Sequence, residues 1–131
     1  MQFKFVNDDE EIVQIRESIA KLCQGFPPEY WREMDRESAY PSEFVKALSD
    51  AGYLSVLIPE EYGGSGMALS GAVAILEEIQ RQGGNGAACH AQIYMMGAVL
   101  RHGNAEQKQR YLKGTFRPYA AAGADNPERG R

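Results

Sequence analysis

Much of what would mark a specific chemistry is scarce in this sequence. Two cysteines, Cys23 and Cys89, occur among 131 residues, and neither has a second ligand at the spacing that zinc sites use. The 14 basic residues are scattered and outnumbered by 18 acidic ones, so no basic stripe is present to bind nucleic acid. No apolar run reaches the length of a membrane span, and the acidic N-terminus lacks the apolar region of a signal peptide. We therefore expect a cytoplasmic chain without a metal site, a nucleic-acid partner or a membrane span, and with both cysteines reduced in the core.

Catalytic motifs are scarce as well. Gly63, Gly64 and Gly66 precede a predicted helix, but the Lys-Ser/Thr pair of a phosphate-binding loop is missing, and so is a GxGxxG pattern. These glycines predict a tight turn with positive φ angles. Glu77 and Glu78 are adjacent on a predicted helix, where they point about 100° apart and cannot form a paired acid–base site. We expect both carboxylates to face solvent.

The hydrophobic pattern that is present predicts an all-α fold. Apolar residues recur every three to four positions, Gly and Pro separate these stretches, and no second strand pattern exists. About six helices follow. They are predicted at residues 8–24 and 28–37, from Pro41 to just before Gly52, from a cap at Ser70 to Gln82, from a cap at Asn85 through 86–102, and, after a capping box of Asn104 and Gln107, at 105–113.

Two stretches carry particular expectations. Residues 54–58, LSVLI, are predicted to form a buried extended connection. The helix at 86–102 is apolar on nearly every side, so we expect it to be the buried centre of the bundle, with His90 and Gln92 hydrogen-bonded in the core. Its small residues and methionines also suit the wall of an apolar ligand pocket.

Three separated runs indicate a family. They are PSEFVKALSDAGYLSVLIPEEYGGSGM, AVAILEEI and HGNAEQKQRYL, and in this order and spacing the chain resembles the N-terminal domain of acyl-CoA dehydrogenases over residues 8–113. The resemblance implies an orthogonal bundle of about six helices. In the family this domain precedes a middle β domain and a C-terminal four-helix bundle. The complete enzyme binds FAD and oxidises the Cα–Cβ bond of an acyl-CoA, using a carboxylate base.

The resemblance also implies which functional residues to expect here. The family's base and flavin-binding residues lie in the other two domains, so it implies no catalytic residue and no bound FAD for this chain alone. The central helix of the family's N-terminal domain helps to wall the acyl-chain pocket. By this likeness the substrate-pocket residues are Cys89, Gln92, Ile93 and Met96. The expected partners are acyl-CoA in the complete enzyme and either a second copy or a chain that supplies the missing domains.

The division of the chain follows from where the likeness stops. Residues 1–113 are predicted to be the helical domain, and residues 114–131, GTFRPYAAAGADNPERGR, an irregular tail. The tail lacks the T-E-P-x-A-G-S-D-like stretch of the family, which suggests a truncated or frame-shifted dehydrogenase. Two alternatives remain open: the N-terminal part of a related acyl-CoA oxidase or flavin monooxygenase, and a free-standing helical interaction module without flavin.

Overall fold

Six α-helices and two short 3₁₀ turns follow one another in the computed structural model, which describes residues 9–112. No strand occurs among these residues, so the predicted all-α fold of about six helices is confirmed. The predicted tail at 114–131 lies outside the described residues. The helices are α1 (Glu10–Cys23), α2 (Pro28–Arg36), α3 (Ser42–Asp50), α4 (Leu69–Arg81), α5 (Ala87–His102) and α6 (Ala105–Tyr111), and the 3₁₀ turns are Tyr53–Ser55 and Glu60–Tyr62.

The core lies along α1, α3 and α4, not around α5 as predicted. The most extensive helix–helix contact is between α1 and α4. Ile19 of α1, Phe44 of α3 and Ile75 of α4 are completely buried there. Phe44 also meets an aromatic group from α2 and the turn before it, with ring centroids 4.8–5.1 Å apart and edge-to-face geometry. That group comprises Phe26, Tyr30 and Trp31.

Leu54, Val56 and Ile58 of the segment 54–58 are buried, but the prediction that the segment is extended is wrong. Gly52 has a φ of 83° and reverses the chain. The amide of Ile58 donates to the carbonyl of Ser55 (3.1 Å), so the segment coils through consecutive turns. The amide of Gly66 donates to the carbonyl of Ile58 at 2.8 Å, and the amide of Met67 donates to the carbonyl of Val56 at 2.7 Å. The backbone of this buried segment is thus hydrogen-bonded by a later part of the same loop and needs no neighbouring strand.

Two of the three glycines in the turn before α4 have the predicted positive φ, and Gly64 does not. Gly63 and Gly66 have φ angles of 88° and 62°, which other residues adopt at a cost. Gly64 is required for a different reason: a Cβ there would lie 2.0 Å from the carbonyl oxygen of Ile58. The predicted cap at Ser70 is wrong, because α4 already begins at Leu69 after an uncapped Ala68.

Candidate functional site

The helix predicted to bind a ligand, α5, is set in place by a glycine bend and two caps. Gly83, with a φ of 85°, follows the end of α4 and turns the chain. The N-cap of α5 is Gly86, so the predicted cap at Asn85 is wrong by one residue, although the Asn85 side chain accepts a hydrogen bond from the Ala87 amide at 3.0 Å. At the far end the Gly103 amide donates to the carbonyl of Val99 at 2.8 Å and closes the helix. Both ends of α5 are therefore fixed by local sequence.

The prediction that α5 is buried on all sides is wrong. Only Cys89 and Ile93 are buried, whereas Tyr94 and Met95 are 53% and 57% exposed. The predicted core histidine, His90, is also exposed, and its ring lies 5.2 Å from that of Tyr94. The reason is the number of neighbours. The main contacts of α5 are with α4, α6 and the Tyr53–Ser55 turn, which together cover one side of the helix.

The four predicted pocket residues share that covered side and its edges. Cys89 and Ile93 lie in the main hydrophobic core, packed among residues of α1, α3 and α4. Gln92 and Met96 are half-buried. The structure thus brings all four to one face of α5, with two of them turned fully inward. Their contact with an acyl chain stays a prediction.

The opposite face of α5 was not singled out from the sequence. Ala87, Ala91, Tyr94 and Ala98 follow one another at intervals of four, three and four residues, so they form a single row along the helix. Ala87, Tyr94 and Ala98 are exposed, and Ala91 is half-buried. The small side chains leave room for another group to approach the helix closely. The spacing of the alanines could have indicated this row, but α5 is apolar along most of its length and the spacing did not stand out.

The two cysteines are free and buried, as predicted. Burial raises the pKa of the Cys89 thiol to about 12. Burial, with the nearby charge of Glu78 adding to it, raises the pKa of Cys23 to about 11. Since the thiolate is the nucleophilic form, neither cysteine is prepared for catalysis.

The carboxylate of Glu78 is the one buried charged group among the described residues, and the prediction that it faces solvent is wrong. Arg81 donates to both of its oxygens at 2.7 and 3.0 Å, and Gln82 donates at 2.7 Å. Burial alone would raise the pKa of Glu78, but these hydrogen bonds and the charges of Arg81 and Arg16 outweigh it and hold the pKa below its usual value. Glu78 therefore stays ionised and bonded, which suits a structural role.

Arg16 ties the same region of α4 to α1. Its guanidinium lies 2.9 Å from a carboxylate oxygen of Glu77 and also donates to the carbonyl of Ala74 at 3.4 Å. Glu77 is about half exposed, in line with its predicted position. The charged side chains of this region thus stabilise the helix pair.

Residues 9–112 contain neither a cluster of metal-binding side chains nor a membrane-spanning helix. In that part of the chain no three His, Cys, Asp or Glu side chains come together in a group that could hold a metal ion. None of the helices there is both long and apolar enough to cross a bilayer.

The all-α fold is consistent with the family that the sequence matches. A family model described as "Acyl-CoA dehydrogenase, N-terminal domain" matches residues 9–117, and the chain belongs to this family. It is 32% identical over 109 residues to the mitochondrial isovaleryl-CoA dehydrogenase of Bos taurus, and 33% identical over 108 residues to that of Pongo abelii. Each match covers 79% of this chain and 25% of the relative, so the chain spans about a quarter of the length of these relatives. No solved structure gives a significant match.

Proposed function

We propose that this chain contributes the helical N-terminal domain of an FAD-dependent acyl-CoA dehydrogenase, an enzyme that oxidises the Cα–Cβ bond of an acyl-CoA thioester. The family match over residues 9–117, joined to an all-α fold, is the observation that supports this most. The chain alone is expected to be inactive, because the oxidation needs the flavin and a base. Within residues 9–112 the buried carboxylate Glu78 is already bonded to Arg81 and Gln82, and burial raises the pKa of both thiols.

The fit to FAD is correspondingly poor within the described residues. A flavin site needs polar groups that converge on the ring and on the phosphates. The buried charged group of this region, Glu78, is negative and is already bonded to Arg81 and Gln82. We therefore assign flavin binding to the remaining domains of the complete enzyme and expect no visible flavin absorbance in the purified chain.

The experiment that tests the proposed function is a domain exchange. Residues 9–112 would replace the corresponding domain of bovine isovaleryl-CoA dehydrogenase, and reduction of an electron-accepting dye would be followed with acyl-CoA. Isovaleryl-CoA is the first substrate to try because the relatives carry that name. Acyl-CoA-dependent reduction above the level of the purified chain supports the proposal. A chimera that folds and holds FAD but oxidises no acyl-CoA contradicts it.

Within such an enzyme we assign α5 to the wall of the acyl-chain pocket. Gln92 and Met96 are half-buried on the covered side of α5 and keep some surface for contact with a ligand. Cys89 and Ile93, buried in the core, would act by fixing the position of the helix. The alanine row with Tyr94 lies on the opposite, open side of α5 and is a second candidate surface for the acyl chain.

A substitution on the open face separates this assignment from a purely structural one. In the chimera, Ala91→Leu adds bulk to the exposed side of α5 and is expected to raise the KM for longer acyl-CoAs more than for short ones. Ala51→Leu, at an exposed position beside α3, is the matched control and should leave the preference unchanged. If both variants show the same preference for acyl-chain length, the outer face of α5 does not line the pocket.

Two further properties stay proposals. The complete enzyme is expected to be a homo-oligomer, or to obtain its other domains from a separately encoded chain. The sequence predicts a cytoplasmic location, whereas the matched relatives are named as mitochondrial proteins. Fractionation of cells that express a C-terminally tagged chain decides between the two compartments.

The exposed Tyr94 and Met95 also favour the alternative of a helical interaction module, which predicts a stable chain that never acquires flavin.

A further inference from the structure

A cleft of about 360 Å³ opens between the end of α2 and the turn that joins α4 to α5. Its volume lies at the small end of the range of ligand pockets. None of its lining residues belongs to α5, and none of them is basic. Part of the lining is apolar and part is polar, and the two parts are formed mainly by Trp31, Met34 and Pro41 and by Asp35, Ser38 and Gln80.

The apolar wall of the cleft is held in place by its packing. The indole ring of Trp31 meets the completely buried ring of Phe44 edge to face, with 4.8 Å between the centroids. Trp31 also packs closely on Gly84, where a Cβ would lie 3.2 Å from Cζ2 of the indole. The wall is therefore formed before any ligand arrives, which lowers the entropic cost of binding.

Negative charge converges on the cleft. α2 ends at Arg36 and α4 ends at Arg81, so the C-terminal ends of two helices adjoin the lining. The carbonyl end of a helix carries a partial negative charge that favours a cation. The exposed carboxylate of Asp35, in the last turn of α2, adds a full negative charge.

The basic side chains that end these two helices are paired with other carboxylates. Arg36 forms an ion pair with Glu33, and Arg81 forms one with Glu78 at 2.7 Å. Within residues 9–112 the carboxylate of Asp35 has no ion-pair partner. The cleft thus keeps one carboxylate that a cation from outside the chain can neutralise.

The spacing along α2 sets the shape of such a cation. Asp35 follows Trp31 by one helical turn, so the two side chains share a face with about 5–6 Å between their Cβ atoms. A positive group at Asp35 can therefore extend a short apolar chain along the indole. The side-chain oxygens of Ser38 and Gln80 are further acceptors for an ammonium group, which has three donors.

From this arrangement we propose that the cleft binds a small organic cation, a primary ammonium group carried on a short apolar chain. The ammonium group binds Asp35 beside the carbonyl ends of α2 and α4, and the chain lies along Trp31 and Met34. An organic anion is repelled by the same charges, and an uncharged molecule of the same shape gains nothing from Asp35. The proposal requires neither flavin nor acyl-CoA.

The first test uses the fluorescence of Trp31, which is the only tryptophan of the chain. The full 131-residue chain is titrated with hexylammonium, and separately with hexanol, hexanoate and methylammonium, which lack the positive charge or the apolar chain. Hexylammonium should give a saturable change and bind at least about fivefold more tightly than each of the other three. The proposal is overturned if hexylammonium gives no saturable change at millimolar concentrations, or if hexanol binds as tightly.

Two variants separate the carboxylate from general attraction to an acidic protein. Asp35→Asn should weaken the binding of hexylammonium by about fivefold and leave that of hexanol unchanged. Glu29→Gln, the matched control, removes an exposed carboxylate from the first turn of the same helix and should leave both unchanged. Both positions are exposed, so melting curves should match that of the unchanged chain. Equal losses in the two variants, or none in Asp35→Asn, contradict the assignment.

A third variant tests the place of binding. Ala39 lines the cleft and is exposed, so Ala39→Phe should fill the space without unfolding the chain and should abolish binding of hexylammonium. Titration calorimetry gives the readout, because the added ring can itself alter the emission of Trp31. Binding that survives in a folded Ala39→Phe chain places the ligand elsewhere and overturns the proposal.

The same ammonium chemistry occurs in free amines and in lysine side chains. A lysine blocked at its α-amine and its carboxyl group provides the second source for the titration. Tighter binding of hexylammonium supports a free amine as the ligand, and tighter binding of the blocked lysine supports a lysine side chain of another protein.

Discussion

The consecutive helices α4 and α5 are both largely apolar, but they differ in how many of their residues are buried. α4 buries six residues, one of which is the carboxylate Glu78, whereas the more continuously apolar α5 buries two. The difference lies in their neighbours. α1 packs along α4, while α5 has helices and a turn on one side only. Burial in this fold is decided by what a helix packs against, and the apolar surface left on α5 is what makes that helix the candidate for binding.

The largest effect that tests this contrast is the loss of a core side chain from α4. Ile75→Ala removes a completely buried side chain and is expected to lower the free energy of unfolding by about 2–5 kcal/mol. Met95→Ala on α5 is the matched change at a side chain that is 57% exposed, and should alter it by less than about 0.5 kcal/mol. Urea unfolding followed by circular dichroism measures both. Equal losses would mean that Met95 is covered in the folded chain.

The reactivity of the two cysteines measures burial in both regions. Cys23 is the last residue of α1, which packs against α4, and Cys89 lies in the first turn of α5. With the pKa of Cys89 raised from 9.0 to about 12, its thiolate fraction at neutral pH falls by about a thousandfold. For Cys23, raised to about 11, the fall is about a hundredfold. Both thiols should react slowly with a disulfide reagent in the native chain and at the rate of a free thiol in urea. Fast labelling of Cys89 in the native chain would show that the start of α5 opens.

A smaller change in the free energy of unfolding is expected from substitution of Glu78, which lies on α4. Glu78→Gln keeps the side-chain size but replaces charge-assisted hydrogen bonds to Arg81, and should cost about 1–3 kcal/mol at neutral pH. Glu77→Gln is the matched control on the same helix. Its carboxylate is 47% exposed and pairs with Arg16, so about 0–1 kcal/mol is expected. Chemical denaturation at constant salt compares the two.

The pH dependence of the Glu78 effect has a definite sign. Folding lowers the pKa of Glu78 below its usual value of 4.5, so the unfolded chain takes up the proton first as the pH falls. The stability that Glu78 contributes is complete above that value and is lost as the pH falls through the lower folded pKa. The cost of Glu78→Gln should therefore shrink in acid. A cost that stays constant from neutral pH down through this range would show that the folded pKa is not lowered.

Local patterns made much of the fold predictable. The capping box is a two-residue signal, and Asn104 and Gln107 form both of its hydrogen bonds at 2.9 Å. The glycines at 63 and 66 adopt the positive φ angles that their turn implied. Such features depend only on residues a few positions apart, so a sequence specifies them without reference to the rest of the chain.

The less predictable part depended on distant neighbours. A run such as LSVLI buries alternate residues both as a strand and as consecutive turns, and the hydrogen bonds from Gly66 and Met67 decide for the turns. Glu78 has the local signature of a surface carboxylate, yet it is buried in the helix against which α1 packs. The covered face of α5 is likewise set by α4 and the turn at 53–55. The assignment of the candidate site to α5 stays a prediction from the sequence, and the accessible side of that helix was seen only in the structure.

The smallest expected effect compares two caps of the same geometry in the two regions. Asp9 accepts a hydrogen bond from the Ile12 amide, and Asn104 accepts one from the Gln107 amide, both at 2.9 Å. Replacing such a cap by Ala typically costs about 1 kcal/mol. Asp9→Ala should show this loss in global unfolding, because α1 cannot open without exposing the core it shares with α4. Asn104→Ala should change global unfolding by less than about 0.5 kcal/mol and instead speed amide exchange within α6, whose residues 105–111 carry no buried side chain and can open locally. Amide exchange measured by NMR distinguishes the two, and a global loss in both variants would show that α6 unfolds together with the core.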